Sequence, residues 1–308
     1  MAREATAALS TPSGFRAPAP LGVGCSYPPS LPGVIDRVGD LVDFVEISPD
    51  MLCRQVETGP GPSMTFVEEL LGPALAATAG LPTVVHGLEL SIGTASGWNQ
   101  DYVDLLDRFA MLRPFPWHSE HLGFTMVAGA DGRPVQTGVP LPLPFTRQAL
   151  DVVVPRAAAM AARYGVPFLL ENAAYYLRRL PADPGWDEIS FLNALTAESS
   201  CGLLLDLYNL YCNSVNHHFD PLAALQRVRL DRVVEVHVAG GFEEAGFRLD
   251  SHSDAMPPEV REMVAWLLPR APNLAGLVFE VQEPALPAFG VDALRAELTW
   301  LRTAWDRR

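Results

Sequence analysis

The sequence predicts an α/β protein, a (β/α)8 TIM barrel with a β-hairpin inserted after the fourth strand. Three observations predict this fold. Short apolar segments alternate with segments of helical periodicity, as parallel strands joined through helices require. Eight such units fit within the 308 residues of the chain. Six of the eight apolar segments end in His, Glu or Asp, at the strand ends where barrels of this kind carry their sites.

The predicted strands are short and apolar on both faces, which is typical of a parallel sheet covered by helices. They comprise residues 21–25, 42–47, 82–86, 115–121, 167–171, 201–206, 233–237 and 276–280. An open doubly wound sheet is the alternative architecture. It would place its site at one switch point and would use fewer strands, so the barrel is favoured.

Helical periodicity, with apolar residues three and four apart, fills much of the sequence between the strands. The predicted helices comprise residues 66–79, 102–112, 146–164, 189–197, 258–268 and 294–305. Asp220-Pro221 and Pro257-Pro258 are sequence signals that are typical of helix starts.

One insertion interrupts the alternation after the fourth strand. Residues 123–145 contain the turn signal Asp131-Gly132 and then a proline-rich stretch. We expect a β-hairpin over the barrel rim that serves as a lid or docks a partner.

Composition and charge exclude several classes of partner. The net charge is −14, and the 22 basic residues are scattered arginines, so neither DNA nor RNA is expected as a partner. No apolar run reaches the roughly 18 residues of a membrane span. Residues 1–20 are rich in Ala, Pro and Ser, which predicts a disordered lead before a single domain over 21–308, in a cytoplasmic protein. No cysteine pair has the C-x-x-C spacing of a zinc ribbon or redox motif.

Imidazole and carboxylate groups at the ends of several strands indicate a metal centre. Eight candidate ligands have this character: His86, His121, Glu171, Asp206, His237, Asp250, His252 and Glu280, with Asn172 and Asn209 in reserve. Eight ligands are too many for one ion, and a carboxylate can bridge, so Glu171 could link two metals. Asp250 and His252 are two residues apart and project to the same side of an extended chain.

Further polar residues lie near the strand ends. His217 and His218 are expected on a loop after the sixth strand, where His217 could act as a ligand or an acid–base group. Glu46 on the second strand could orient a ligand histidine. His118, two residues before His121, is expected to be an orienting or surface group.

Taken in chain order, the motifs resemble those of a known family. They are His86-Gly87-Leu88-x-Leu90-Ser91, Ser119-x-His121-Leu122, Leu169-Leu170-Glu171-Asn172, Leu204-Leu205-Asp206-x-x-Asn209-Leu210-Tyr211, Asn216-His217, Glu235-x-His237-x-Ala239-Gly240, Asp250-x-His252 and Glu280. The series resembles the MNIO family, the multinuclear non-heme iron-dependent oxidative enzymes that include the iron subunit of methanobactin synthase. This family lies within the xylose-isomerase-like TIM barrels, and the similarity runs from about residue 22 to residue 280.

The resemblance implies both an activity and a set of site residues. It implies two or three iron ions and an oxygen-dependent oxidoreductase that modifies a residue, often cysteine, of a ribosomally synthesised precursor peptide in natural-product biosynthesis. Members usually act with a partner protein that binds the leader of the peptide. The family's metal ligands, matched to the motifs of this sequence, would be His86, His121, Glu171, Asp206, Asn209, His237, Asp250, His252 and Glu280. We assign the catalytic roles to Asn209 and His217.

The sequence departs from the family pattern at two positions. Pro49-Asp50-Met51 stands where members usually carry a Glu-Asn pair, and Gly24-Cys25-Ser26-Tyr27 stands where Gly-Leu-Arg is usual. Both positions are expected to face the site, although a core position is the more common one for a cysteine such as Cys25. These departures leave room for a different substrate.

Other functions stay open at this stage. The ligand order is also similar to that of zinc- or manganese-dependent hydrolases and isomerases of the same superfamily that act on sugar or phosphate compounds. Trizinc abasic-site endonucleases carry Asp-x-x-His on strand six, whereas this chain has Asp206-Leu207-Tyr208-Asn209, which together with the acidic charge argues against DNA repair. A non-catalytic scaffold is the third option, and eight convergent ligands disfavour it.

Overall fold

The computed structural model describes residues 14–58, 61–129 and 134–308, and in it eight parallel strands form a closed barrel. Each strand pairs with the next in chain order, and the eighth pairs with the first. The (β/α)8 prediction is therefore confirmed. The strands are β1 (Gly22–Ser26), β2 (Phe44–Ile47), β3 (Thr83–Gly87), β4 (His118–His121), β5 (Phe168–Glu171), β6 (Gly202–Asp206), β7 (Val233–Val238) and β8 (Gly276–Phe279).

The helices surround the barrel, and all six predicted helices are present. The helices are α1 (Gly33–Val38), α2 (Glu68–Ala77), α3 (Gln100–Leu112), α4 (Arg147–Tyr164), α5 (Glu188–Glu198), α6 (Leu207–His217), α7 (Pro221–Leu225), α8 (Pro258–Leu267), α9 (Leu286–Phe289) and α10 (Val291–Trp305). Short 3₁₀ turns cover Pro49–Leu52, Leu230–Arg232 and Glu283–Ala285.

The expectation that His217 lies on a loop is wrong, because α6 follows β6 directly. Asp206 ends β6 and also caps α6, since its Oδ1 accepts a hydrogen bond of 2.7 Å from the backbone N–H of Asn209. His217 is the last residue of α6, and His218 ends it in the left-handed conformation at φ 59°. Asp206, a predicted metal ligand, thus also caps the helix that carries Asn209.

The floor of the barrel is apolar and tightly packed. The rings of Phe44 and Trp117 meet edge to face, with centroids 5.8 Å apart, and both side chains are fully buried. Gly24 and Gly276 leave the space for these rings, because a Cβ on either glycine would come within 2.7–2.9 Å of the Phe44 ring. This floor separates the C-terminal mouth of the barrel from the opposite end.

The predicted hairpin after the fourth strand is present. Gly123–Ala128 pairs antiparallel with Pro134–Pro142, while the predicted turn Asp131-Gly132 lies outside the described residues. The first strand of the hairpin is tied to the loop after β3, because Ser91 Oγ accepts from the Thr125 N–H at 2.7 Å. Sequence analysis missed a second hairpin, Cys53–Thr58 with Gly61–Phe66, and a short one, Glu243–Glu244 with Phe247–Arg248.

The segment before β1 is described only from residue 14, so most of the predicted lead over residues 1–20 lies outside the described residues. Within the described part, Phe15 packs beneath the barrel floor, and the Arg232 guanidinium lies 4.7 Å from the centroid of its ring. No helix in the described part of the chain combines the length and apolar character that a membrane span needs.

We predict that Gly24→Ala destabilises the barrel by overpacking its floor. The added methyl group would lie 2.7 Å from the Phe44 ring, and overpacking of this kind costs about 1–3 kcal/mol. Gly80→Ala is the matched control, because a Cβ at exposed Gly80 would have nothing within 4 Å. Denaturant unfolding measures both variants, and equal free energies of unfolding would contradict this account of the floor.

Candidate metal centre

The predicted metal ligands converge at the C-terminal mouth of the barrel. Three of them end strands β4 to β6, two lie one residue before the ends of β3 and β7, one follows β8, and two lie on the loop after β7; in chain order they are His86, His121, Glu171, Asp206, His237, Asp250, His252 and Glu280. The side chains alternate along each strand, so these residues point inward from the last inward-facing position. The structure therefore brings all eight into one polar cluster above the apolar floor.

The first donor group consists of His86, His121 and Glu171. One ligand atom from each lies within 4.8 Å of the other two. His86 Nε2 lies 3.3 Å and His121 Nε2 lies 3.2 Å from the same atom, Glu171 Oε2. Both imidazoles thus point at one carboxylate oxygen, as they would around a shared cation.

Ser119 fixes the orientation of His86. The Ser119 hydroxyl donates to the Val85 carbonyl at 3.1 Å, so its oxygen is free to accept from His86 Nδ1 at 3.1 Å. With the proton on Nδ1, Nε2 presents a lone pair to the cluster. Sequence analysis missed this role, although Ser119 lies two residues before His121 and shares its face of β4.

The second donor group consists of Glu171, Asp206, His237 and Glu280, again with one ligand atom each inside 4.8 Å. His237 Nδ1 lies 2.9 Å from Glu280 Oε2 and 4.0 Å from Glu171 Oε1. Glu171 belongs to both groups and offers one oxygen to each. The arrangement suits a carboxylate that bridges two ions.

Asp250 and His252 extend the second group from the loop after β7. His252 Nδ1 lies 3.0 Å from Glu280 Oε2, and its Nε2 lies 2.8 Å from Asp250 Oδ1 and 3.4 Å from Asp206 Oδ2. The backbone of His252 has φ 38°, a conformation that favours glycine and that a histidine adopts at a cost of about 1 kcal/mol or more. The surrounding contacts hold this strained residue in place.

Two asparagines next to the cluster have different environments. Both amide atoms of Asn172 are paired with the backbone of Asp206, at 2.8 and 3.0 Å, so Asn172 ties the end of β5 to the end of β6. The Asn209 amide N–H group donates to the Asn172 carbonyl at 3.1 Å and lies 3.5 Å from Glu171 Oε1. Asn209 Oδ1 is buried and has no hydrogen-bond partner in the described chain, so it is available as a ligand.

His217 lies apart from the cluster. Its Nε2 is 2.9 Å from the Tyr175 carbonyl, and its ring stacks on the Tyr175 ring with centroids 4.4 Å apart. In the part of the chain that the structure describes, its contacts join it to Tyr175 and not to the metal-type donors. The structure does not bring this residue to the ligands.

Beneath the second group lies a further layer of buried acids. Glu46 Oε2 is 2.9 Å from His237 Nε2, the contact expected of a residue that orients a ligand histidine. Glu235 is fully buried on the same strand as His237 and accepts from Trp117 Nε1 at 2.8 Å. Glu235 was assigned no role from the sequence, although an acid within an apolar strand two residues before His237 was a usable signal.

Two residues expected near the site face elsewhere. His118 is buried on the outer face of β4, with Nε2 3.0 Å from Glu120 Oε1, so a surface position is wrong. Cys25 alternates with Gly24, packs in the core outside the barrel wall, and does not face the ligands as expected. Burial raises the pKa of the Cys25 thiol to about 12.

Asp50, at the other departure from the family pattern, also faces away from the ligands. Its Oδ2 accepts from the Leu88 N–H at 2.7 Å, which ties the loops after β2 and β3 together. Burial, followed by the charge of Glu120, raises the pKa of Asp50 to about 8. Cys25 and Asp50 therefore do not face the site as expected, whereas Gly24 and Ser26 of the first departure lie on the inner face of β1.

Burial shapes the charge of the carboxylates in the cluster. It raises the pKa of Glu171 well above its usual value, against the opposing charge of His237. It raises the pKa of Asp206 to about 6, against the opposing charge of His252. Burial also acts to raise the pKa of Glu280, but the two histidines His252 and His237 outweigh it and hold that pKa well below its usual value.

The histidines divide into two kinds. Burial lowers the pKa of His86 well below its ordinary value, and it lowers the pKa of His121 as well. Burial acts in the same direction on His237, but the carboxylates of Glu46 and Glu280 reverse the shift and raise its pKa well above the ordinary value. His86 and His121 are thus neutral donors, whereas a metal ion at His237 would displace a proton.

Several buried donor atoms support metal binding. These atoms have no hydrogen-bond partner among the described residues: His86 Nε2, Glu171 Oε2, Asp206 Oδ2, Asn209 Oδ1, Asp250 Oδ1 and His252 Nε2. All of them except Asn209 Oδ1 belong to the histidine–carboxylate pairs described above. Buried polar atoms without hydrogen bonds are costly in a protein interior, and a cation within this cluster would satisfy them. Imidazole and carboxylate donors in this number suit two or more ions of iron, zinc or manganese.

Sequence comparison places these residues in a known context. A model of the family described as RiPP precursor modification enzyme MbnB/TglH/ChrH matches residues 22–304. A UPF0276 protein of Caulobacter vibrioides is 30% identical over 278 residues, which cover 90% of this chain and 91% of the relative. A UPF0276 protein of Rhizorhabdus wittichii is 34% identical over 214 residues, covering 65% of this chain and 74% of the relative.

Solved structures confirm the fold class. The barrel is similar to 3-keto-D-glucoside 4-epimerase from E. coli, with a TM-score of 0.54 and 16% identity over 92% of this chain and 99% of the other. It is also similar to a xylose isomerase-like TIM barrel protein from Mycobacterium smegmatis in complex with magnesium, with a TM-score of 0.52 and 15% identity over 93% and 98%. At these identities the likeness shows the fold alone.

We predict that His237→Ala loses bound metal, because it removes a donor at the end of a buried strand, while the apolar core keeps the fold. His118→Ala is the control, since His118 faces away from the cluster. Elemental analysis of both purified variants gives the metal content per chain. If both variants lost the same amount of metal, the assignment of His237 to the inner face of β7 and of His118 to the outer face of β4 would be wrong.

Proposed function

The chain belongs to the MbnB/TglH/ChrH family of enzymes that modify RiPP precursors, the ribosomally synthesised peptides that are processed after translation. On that premise we propose a multinuclear non-heme iron enzyme that uses molecular oxygen to modify a residue of such a peptide, with cysteine as the expected target. The observation that carries the proposal is the shared position of Glu171 in two adjacent donor groups.

The donor set supports iron as the cofactor. The first group offers two neutral histidines, and the second adds carboxylates whose buried charge a cation would offset. Two ions satisfy the two groups that share Glu171, and Asp250 with His252 leaves donors for a third. Iron bound there would supply the activation of oxygen, which protein side chains do not provide.

The chain's own residues would hold and orient this centre. Ser119 sets the tautomer of His86, and Glu46 holds Nε2 of His237 so that Nδ1 faces the carboxylates. We propose Asn209 as a further ligand through its unpaired Oδ1. His217 contacts Tyr175 instead, and we assign it no step.

The mouth of the barrel suits a peptide substrate. Ten large hydrophobic side chains are exposed in the described residues, and eight of them lie on loops that follow strands, at the mouth. Only Met111 and Leu112 lie at the other end of the barrel. The eight are Leu31, Met51, Val127, Val135, Val139, Tyr176, Leu177 and Phe242. Their position on the loops of the mouth supports a peptide as the substrate.

The hairpin provides a candidate surface for a leader-binding partner protein. Its exposed residues Val127, Val135 and Val139 stand on the rim, 38–58% exposed. Its inner strand is tied to the loop after β3, so the outer strand, Pro134–Pro142, is the side that is open to a partner. Two prolines of this strand, Pro140 and Pro142, limit edge-to-edge pairing and favour contact through side chains.

We predict two to three iron ions per chain in protein isolated aerobically, measured by elemental analysis. Incubation with the cysteine-containing peptide encoded beside the gene, together with a neighbouring leader-binding protein, should change the peptide mass in air and not under anaerobic conditions. One zinc ion and no iron, with activity intact, would instead support a hydrolase or isomerase. If the reaction proceeded equally well without air, the proposal that the enzyme uses molecular oxygen would be contradicted.

A second prediction concerns the hairpin. Replacing residues 127–135 with Asn-Gly would join Met126 to Gln136, which already face each other in register, and would retain the contacts of Ser91 with Thr125. This variant should keep its iron and lose turnover of the peptide or binding of the partner, because the exposed tip is gone. Processing at the normal rate would show that the tip has no docking role.

A further inference from the structure

Two acids lie below the metal-type donors, inside the barrel wall. Glu46 is 2% exposed and Glu235 is fully buried. The side chains beside and beneath them are apolar and include Phe44, Val84 and Leu204, all fully buried. Carboxyl groups in such surroundings depend on their protein partners, because a buried acid without partners is costly.

These acids lie in a line from the floor to the metal cluster, with Glu235 Oε1 making no hydrogen bond among the described residues. Trp117 Nε1 donates to Glu235 Oε2 at 2.8 Å. One oxygen each of Glu235 and Glu46 and one nitrogen of His237 lie within 4.8 Å of one another. Glu46 Oε2 then lies 2.9 Å from His237 Nε2. Glu46 thus has Glu235 on one side and the imidazole on the other.

His237 is the residue that this line acts on. Its two nitrogens both face carboxylates, since Nδ1 lies 2.9 Å from Glu280 and Nε2 lies 2.9 Å from Glu46. Only one nitrogen can bind an ion of the cluster, and the other must then donate its proton. When Glu46 is fixed, it accepts the proton of His237 Nε2 and leaves Nδ1 to bind the ion. If the Glu46 side chain could rotate, neither the tautomer nor the orientation of the ring would be set.

We propose that Glu235 is a positioning residue of the metal centre: Trp117 fixes Glu235, Glu235 fixes Glu46, and Glu46 directs Nδ1 of His237 toward the ions. The inference rests on the proposed function only in that His237 binds metal. It is independent of the identity of the ion, of oxygen and of the peptide.

The test is titration of the metal-free protein with Co(II), whose visible spectrum reports the ligand field and whose affinity is read by competition with a chelator. Glu235→Leu keeps the apolar bulk and removes the polar contacts. We expect it to weaken cobalt binding about 10–100-fold, the usual effect of losing a group that orients a ligand, and to alter the spectrum. Glu235→Gln should restore both, because its amide accepts from Trp117 and can donate to Glu46.

Glu188→Leu is the matched control. Glu188 is also a buried carboxyl, 7% exposed on α5, but it pairs with Asn213 outside the barrel wall. This variant should bind cobalt as the wild type does. Trp117→Phe provides an independent test if Glu235→Leu does not fold, because it removes the N–H that holds Glu235 and should weaken binding in the same direction. It also leaves a cavity in the barrel floor, so its free energy of unfolding is measured alongside.

The outcomes separate the inference from the proposed function. Wild-type affinity and spectrum in Glu235→Leu and Trp117→Phe would overturn the positioning role and leave the metal centre intact. Loss of one whole ion from both the Leu and the Gln variants would also overturn it, because Glu235 would then be a ligand. A wild-type protein that binds no cobalt would overturn the metal centre itself, and the inference with it.

Discussion

The buried carboxyl group of Glu171 lies between two groups of donors, and burial favours its neutral form unless a cation within the barrel mouth offsets the charge of the carboxylate. An uncompensated charge in a protein interior costs several kcal/mol, and the neighbouring Asp206 and Glu280 add to the repulsion. Two of the histidines around Glu171, His86 and His121, are neutral at ordinary pH because burial lowers their pKa. Metal ions would supply the positive charge that these carboxylates lack. The donors of the barrel mouth are arranged to bind such ions.

The rigid floor explains how donors from separate strands reach one place. Gly24 and Gly276 allow Phe44 and Trp117 to fill the barrel, so the strands are fixed below the site. Trp117 belongs to the apolar floor and also contacts the acids above it, since its ring packs on Phe44 and its N–H donates to Glu235. Packing of the core and orientation of the donors are therefore parts of one arrangement.

The strands and the metal-type donors were predictable because both depend on local pattern. An apolar segment that ends in His or Glu can be recognised directly in the sequence. All eight strands of the barrel lie where this pattern predicts them. Helix α6 was missed because Asp206 was interpreted only as a strand-end ligand, although it also caps the helix. Ser119 and Glu235 were missed because their partners, His86 and Trp117, lie 33 and 118 residues away, and spacing does not show such contacts. A core position was favoured for Cys25 from the residues and is what the structure has, whereas the comparison with the family pattern placed Cys25 at the site, because a shift of one residue reverses the side of a strand.

The most direct test of a carboxylate-bridged metal centre is anomalous diffraction at the iron edge from crystals of the iron-loaded protein. We predict at least two peaks at the barrel mouth. One should be ligated by His86, His121 and Glu171, and the other by Glu171, Asp206 and His237, so that Glu171 touches both. A single peak, or two peaks that Glu171 does not join, would contradict the account.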